Sequence, residues 1–109
     1  MASKYLIVDN KFLMSSSIDY HVELLPKEHK IISGGGRFHL DHDNKRIILY
    51  DKSDQFKGAK KEDILSALEN SFLSMRLDGY AIYITESDLL SQALVVCKSR
   101  IEPDYVYIM

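Results

Sequence analysis

One cysteine, two prolines and five glycines in 109 residues exclude a chain built on cross-links, proline-rich spacers or low-complexity repeats. Cys97 alone closes no internal disulfide, and there is no Cys-x-x-Cys pair to hold zinc. A reducing cytoplasmic setting suits such a chain. Long apolar runs are also lacking. Uninterrupted apolar runs, such as residues 5–8, 47–50 and 93–97, reach no more than five residues, far short of the ~18 residues that a membrane span needs. Lys4 is followed by only four apolar residues before Asp9, too few for a secretory signal, so neither a span nor a leader is expected. Neither sign of charge dominates. Fourteen Lys and Arg against sixteen Asp and Glu leave a formal charge of −2, the wrong balance for a phosphate backbone, and nucleic acid is not an expected partner. The local basic run of Lys57, Lys60 and Lys61 is cancelled at once by Glu62 and Asp63, as at a solvated helix start.

What is present is the composition of one globular domain covering residues 1–109, with 46% apolar and 28% charged residues. Residues 4–8 form a β-branched and aromatic run, and Ser15, Ser16 and Ser17 resemble a turn. Ile18, Tyr20, Val22 and Leu24 alternate with Asp19, His21 and Glu23, which predicts a half-buried strand with His21 on its polar face. Residues 30–33 read as a short strand ending at Gly34, Gly35 and Gly36, and a second alternation starts at Arg37. Asp41-His42-Asp43-Asn44 is good turn chemistry between hairpin strands. The unbroken Ile47-Ile48-Leu49 of the returning strand predicts burial on both faces. From Ala59 to Arg76 the period becomes helical, with Ile64, Leu65, Leu68, Phe72 and Met75 on one stripe, and Asp78-Gly79 ends the element. A strand over 80–85, a helix capped by Ser87 or Asp88 and running to about Cys97, and a last strand over 105–109 after Glu102-Pro103 complete the pattern. The expected fold is mixed α/β of the α+β kind: a largely antiparallel sheet of about five to seven strands with two helices packed on it.

Three segments carry residues that invite chemistry. The loop 50–58 offers free amides, the Ser53 hydroxyl and a following helix start, a combination that receives anions. His21 is either an acid–base group or an ordinary strand histidine. Gly34 to Gly36 lacks dinucleotide-fingerprint spacing and fits a β-bulge or a close backbone approach better. His39, Asp41, His42 and Asp43 straddle a hairpin tip and suit a solvated turn better than a metal site. Cys97, among Leu94, Val95 and Val96, suits a buried small hydrophobe.

In order, Lys4-Tyr5-Leu6-Ile7, Tyr20-His21-Val22-Glu23, Gly34-Gly35-Gly36-Arg37, Ile47-Ile48-Leu49-Tyr50 and Ser53-x-x-Phe56 run ahead of the Ala59 helix start. Over roughly residues 3 to 75 this series resembles the Janus/ocnus family, the small protein phosphohistidine phosphatases. The Gly-Gly-Gly-Arg segment is its most specific part. The resemblance implies a metal-independent, cofactor-free hydrolase that removes phosphate from histidine, and in some cases lysine, side chains of a phosphorylated protein. It implies His21 as the catalytic histidine, acting as base or nucleophile, and Lys4 as a substrate-binding lysine. It further implies a phosphate-binding loop over Ser53, Asp54, Gln55 and Phe56. Leu13 stands where the family often has an arginine, and Asp51 and Lys57 stand in place of loop glycines. Asp51 and Asp54 would oppose a dianion unless Lys4, Lys52 or Lys57 offset them. The alternatives to an enzyme are a module that binds a phosphorylated or acidic segment at the same groove without turnover, and a structural protein that keeps only the fold.

Overall fold

The computed structural model describes residues 2–71, 80–85, 87–96 and 106–108. Six strands, β1 (Ala2–Val8), β2 (Lys11–Ile18), β3 (Ile32–Asp41), β4 (Arg46–Tyr50), β5 (Ala81–Ile84) and β6 (Val106–Ile108), form one sheet in the order β2-β1-β3-β4-β5-β6. The first three pairings are antiparallel; β4–β5 and β5–β6 are parallel. Two helices, α1 (Lys61–Ser71) and α2 (Leu90–Val96), complete the α+β architecture expected from the sequence. Phe72, Met75, Arg76, Asp78-Gly79, Cys97 and Glu102-Pro103 lie outside the described residues.

The sheet is built outward from β4, whose five residues are all buried. Ile47 and Leu49 face a core with Ile64, Ala67 and Leu68 of α1, while Ile48 and Tyr50 meet Ala81, Tyr83 and Ala93 on the other side. The helices therefore cover opposite faces. Each fully buried Ile or Leu contributes about 1.5 to 3 kcal/mol, so this strand is the centre of stability. The β3–β4 turn forms where its chemistry predicts: Asp41 accepts from the Asn44 amide and side chain and from Arg46 Nε. These hydrogen bonds, Asn44 first, pull the Asp41 carboxyl down to about 2.

Three local expectations are corrected. Ser15 to Ser17 are not a turn but part of the edge strand β2, with Ser15 opposite Lys4. The chain reverses earlier, at Asp9 and Asn10, whose φ values of 50° and 60° are those of a two-residue turn matched to sheet twist. The predicted strand over 18–24 is replaced by one turn of 3-10 helix, His21–Leu24. The Glu23 carboxylate takes the amides of Asp19 and Tyr20 at 2.8 and 2.7 Å, which closes the chain on itself before a strand can form. Finally, residues 30–33 and the alternation from Arg37 are not two strands. β3 passes straight through the glycine triplet, with a register shift opposite Ile7 and Val8.

Candidate histidine cleft

Each glycine of the triplet makes room for a different neighbour. At Gly34, with φ of 125°, a Cβ would lie 2.7 Å from the Ala59 amide nitrogen. At Gly35 it would lie 2.3 Å from the Tyr5 carbonyl oxygen and 3.1 Å from His21 Cδ2; at Gly36, 2.8 Å from the carbonyl oxygens of Tyr50 and Asp51. The close-approach reading of the triplet holds, and what approaches is the cleft itself.

After β4 ends at Tyr50 the chain swings out and returns to β3. The Ser53 amide donates to the Gly35 carbonyl at 2.8 Å, and the Gly35 amide donates to the Lys57 carbonyl at 3.0 Å. The next carbonyl, that of Gly36, is 2.8 Å from His21 Nε2. A carbonyl only accepts, so Nε2 carries the proton and Nδ1 holds the lone pair of the neutral ring. The Cδ2–Nε2 edge lies on the Gly35–Gly36 backbone, which leaves the Nδ1 edge facing away from it. The 3-10 turn is tied to the loop as well, because Val22 N–H donates to Gln55 Oε1 at 3.2 Å.

His21 is 5% exposed, the reverse of a histidine on a solvated strand face, while Tyr20 and Val22 beside it are exposed. Burial lowers its pKa below the ordinary histidine value; the Gly36 bond opposes this, Lys4 and Arg37 add to it, and Asp51 opposes it. The cleft over the ring holds about 240 Å³ and is lined by the cations Lys4, Arg37 and Lys52 and by the carboxylates Asp19, Asp51 and Asp54. Asp51 is engaged with Arg37 at 3.4 Å and with the Lys52 amide at 2.8 Å.

Four of the six sequence-derived catalytic and phosphate-binding residues thus line the cleft, and Ser53 and Phe56 do not. Lys4 and His21 share the cleft with Asp54 and Gln55. The amides of Asp54 and Gln55 donate to no group among the described residues. Ser53 and Phe56 are not among the residues lining the cleft: the Ser53 side chain is buried, its Oγ accepts from the Phe56 amide at 3.1 Å and its amide donates to Gly35, bonds that hold the loop's shape. Leu13 lies in β2 opposite Leu6, and is not part of the cleft lining. Sequence reasoning assigned Arg37 to the structural triplet and passed over its charge; its register partner is Lys4, so two cations flank the β1–β3 seam. Alternation from Phe38 back to the glycines was the available signal.

Both loop glycine replacements keep the glycine-like backbone: φ is 61° at Asp51 and 66° at Lys57. At the hairpin tip, Asp41 is committed to Asn44 and Arg46, and His42 Nδ1 lies 2.6 Å from the Tyr80 hydroxyl. Among the described residues no group of three or more His, Cys, Asp or Glu side chains could hold a metal ion, and no helix is long and apolar enough to cross a membrane. Comparison with protein-family models, curated proteins and solved structures finds no match to this chain.

Proposed function

We propose that the chain hydrolyses phosphohistidine, or the chemically related phospholysine, in a phosphorylated protein, with His21 as base or nucleophile. The observation that carries this is the 2.8 Å bond from His21 Nε2 to the Gly36 carbonyl, which leaves an Nδ1 lone pair in a cleft furnished with Lys4 and Arg37. As base, Nδ1 takes a proton from water while water oxygen bonds to phosphorus and the P–N bond breaks; the departing nitrogen keeps the electron pair and takes up a proton. As nucleophile, Nδ1 accepts the phosphoryl group first and water removes it in a second step. Lys4, Arg37 and the amides of Asp54 and Gln55 offset the oxygen charge in either route. The P–N bond is labile, so positioning and charge compensation supply the chemistry without a metal or cofactor.

The Janus/ocnus resemblance supports the same reading, as does a single cysteine for a cytoplasmic location. The test is phosphate release from a phosphohistidine protein by wild type and His21→Ala, with EDTA present in both. Release by wild type alone supports the enzyme. Equal release overturns it, and tight binding without release favours the second reading, a non-catalytic module for phosphorylated or acidic segments. That second reading uses Lys4, Arg37 and Lys52 for binding and takes Leu13 in place of an arginine, with the added Asp51 and Asp54, as grounds against turnover. A phosphorylated His21 trapped in a single turnover separates nucleophile from base.

A further inference from the structure

A second cavity, of about 350 Å³, opens at the carboxyl ends of the parallel strands β4 and β5, where α1 begins. Among the described residues it shares Asp51 and Lys52 alone with the histidine cleft. Its floor is apolar: Ile64, Ile84 and Ala59. Its wall contains Tyr5, 3% exposed, whose ring is stacked on Phe12 with centroids 4.9 Å apart. The Tyr5 hydroxyl has no hydrogen-bond partner among the described residues, yet none of their sealed side-chain polar atoms lacks one, so this hydroxyl opens into the cavity. Burial first, and the Asp51 charge second, raise its pKa well above the ordinary tyrosine value. It is therefore a fixed, protonated donor facing a space that no side chain of the described residues fills.

The other donors point to what belongs there. Lys52 and Lys61 line the same space. The Ile64 amide is taken by the Lys60 carbonyl at 3.0 Å, and of the first turn of α1 it is Lys61 and Ile64 that border the cavity, not Glu62 or Asp63. Among the described residues, Asp51 and Asp88 match the two lysines of the lining in number and disfavour a doubly charged guest. We infer that this cavity binds a small monocarboxylate with an apolar body, its carboxylate on the Tyr5 hydroxyl and the two lysines and its hydrocarbon on Ile64 and Ile84. Ligand sites at the carboxyl ends of parallel strands are common because side chains and helix starts converge there. This inference stands apart from the phosphatase reading and uses neither His21 nor Arg37.

Titration of the full chain with 4-methylpentanoate, followed by amide NMR, tests it. Saturable shifts are expected at Lys61, Ile84 and Thr85, with binding at least about tenfold weaker for the uncharged 4-methylpentanamide. Tyr5→Phe, which keeps the stacked ring, weakens binding several-fold, as does Lys61→Ala; His21→Ala leaves it unchanged. No saturable shift, equal binding of the amide, or wild-type affinity in Tyr5→Phe overturns the assignment. So does inorganic phosphate competing for the same resonances more tightly than the monocarboxylate.

Discussion

Asp51 stands 3.4 Å from the Arg37 guanidinium because Arg37 pairs with Tyr50 across β3 and β4, and the carboxylate follows one residue later. The pair settles how much cationic charge the cleft presents. Asp51→Asn retains a side-chain oxygen for the Lys52 amide, tolerates φ of 61° and releases Arg37. Phosphate affinity is expected to rise several-fold. Asp51 also raises the His21 pKa, so the variant's acid limb should lie lower than that of wild type. Calorimetric phosphate titration and a pH–rate profile check both; weaker phosphate binding would contradict the arrangement.

The pKa of His21 is depressed, by burial first, and this fixes two signs. Neutral imidazole persists to a pH below the ordinary value of about 6.5, so the rate should hold through that pH and fall only further into acid. Folding stability follows the same direction. The neutral ring is the one the fold accommodates, so its contribution is present above the unfolded value and is lost as pH falls through the folded value. NMR titration of the ring and urea unfolding at several pH values measure the two. A ring that titrates above about 6.5 contradicts both signs.

Lys4 is 8% exposed and held between Ser15 and Arg37, so it is no frayed terminal lysine. Lys4→Met preserves the buried stem and removes the charge. KM for a phosphorylated substrate should rise roughly five- to thirtyfold, as for a charge-assisted hydrogen bond of about 1 to 2 kcal/mol. The His21 pKa should move up at the same time, since Lys4 now lowers it. High salt should narrow the KM difference. Unchanged KM at every ionic strength would remove Lys4 from the site.

Lys57 is exposed and sits at φ of 66°, a conformation that costs an L-residue about 1 to 2 kcal/mol. Part of that returns in Lys57→Gly, offset by the greater freedom of glycine in the unfolded chain. A net gain of about 0.5 to 1 kcal/mol is expected, with Tm several degrees higher. Lys57→Val should lose stability at the same position. Thermal melts of the two variants give the comparison, and a Val variant as stable as Gly would show that the backbone is not strained there.

The sequence revealed what depends on local periodicity. The doubly buried β4 follows from its unbroken apolar run, the helical stripe through Ile64 and Leu68 from side chains three or four apart facing together, and the Asp41 to Asn44 turn from its short polar side chains. The 18–24 segment misled because its period was real and its partner was not. Tyr20 and Val22, at 64% and 47% exposed, occupy the supposed inner face, and the buried side chain is His21. The deciding contact is the short reach of Glu23 back to Asp19 and Tyr20, a helix-start signal with Pro26 soon after it. The role of Ser53 was likewise hidden. A loop serine can accept from its own backbone and still donate its proton, and spacing alone does not reveal that Ser53 is buried against the Phe56 amide, behind the residues that line the cleft.

Two adjacent carbonyls of β3, those of Gly35 and Gly36, hold the loop amide and the imidazole. The spacing between the two anchor points is set by the covalent geometry of one peptide unit, ~3.8 Å from Cα to Cα. Ring and loop are thereby fastened to neighbouring residues of one strand. A single-residue insertion between Gly35 and Gly36 would pull them out of step and, unless a bulge absorbed it, would turn Phe38 and the rest of β3 to the opposite face of the sheet.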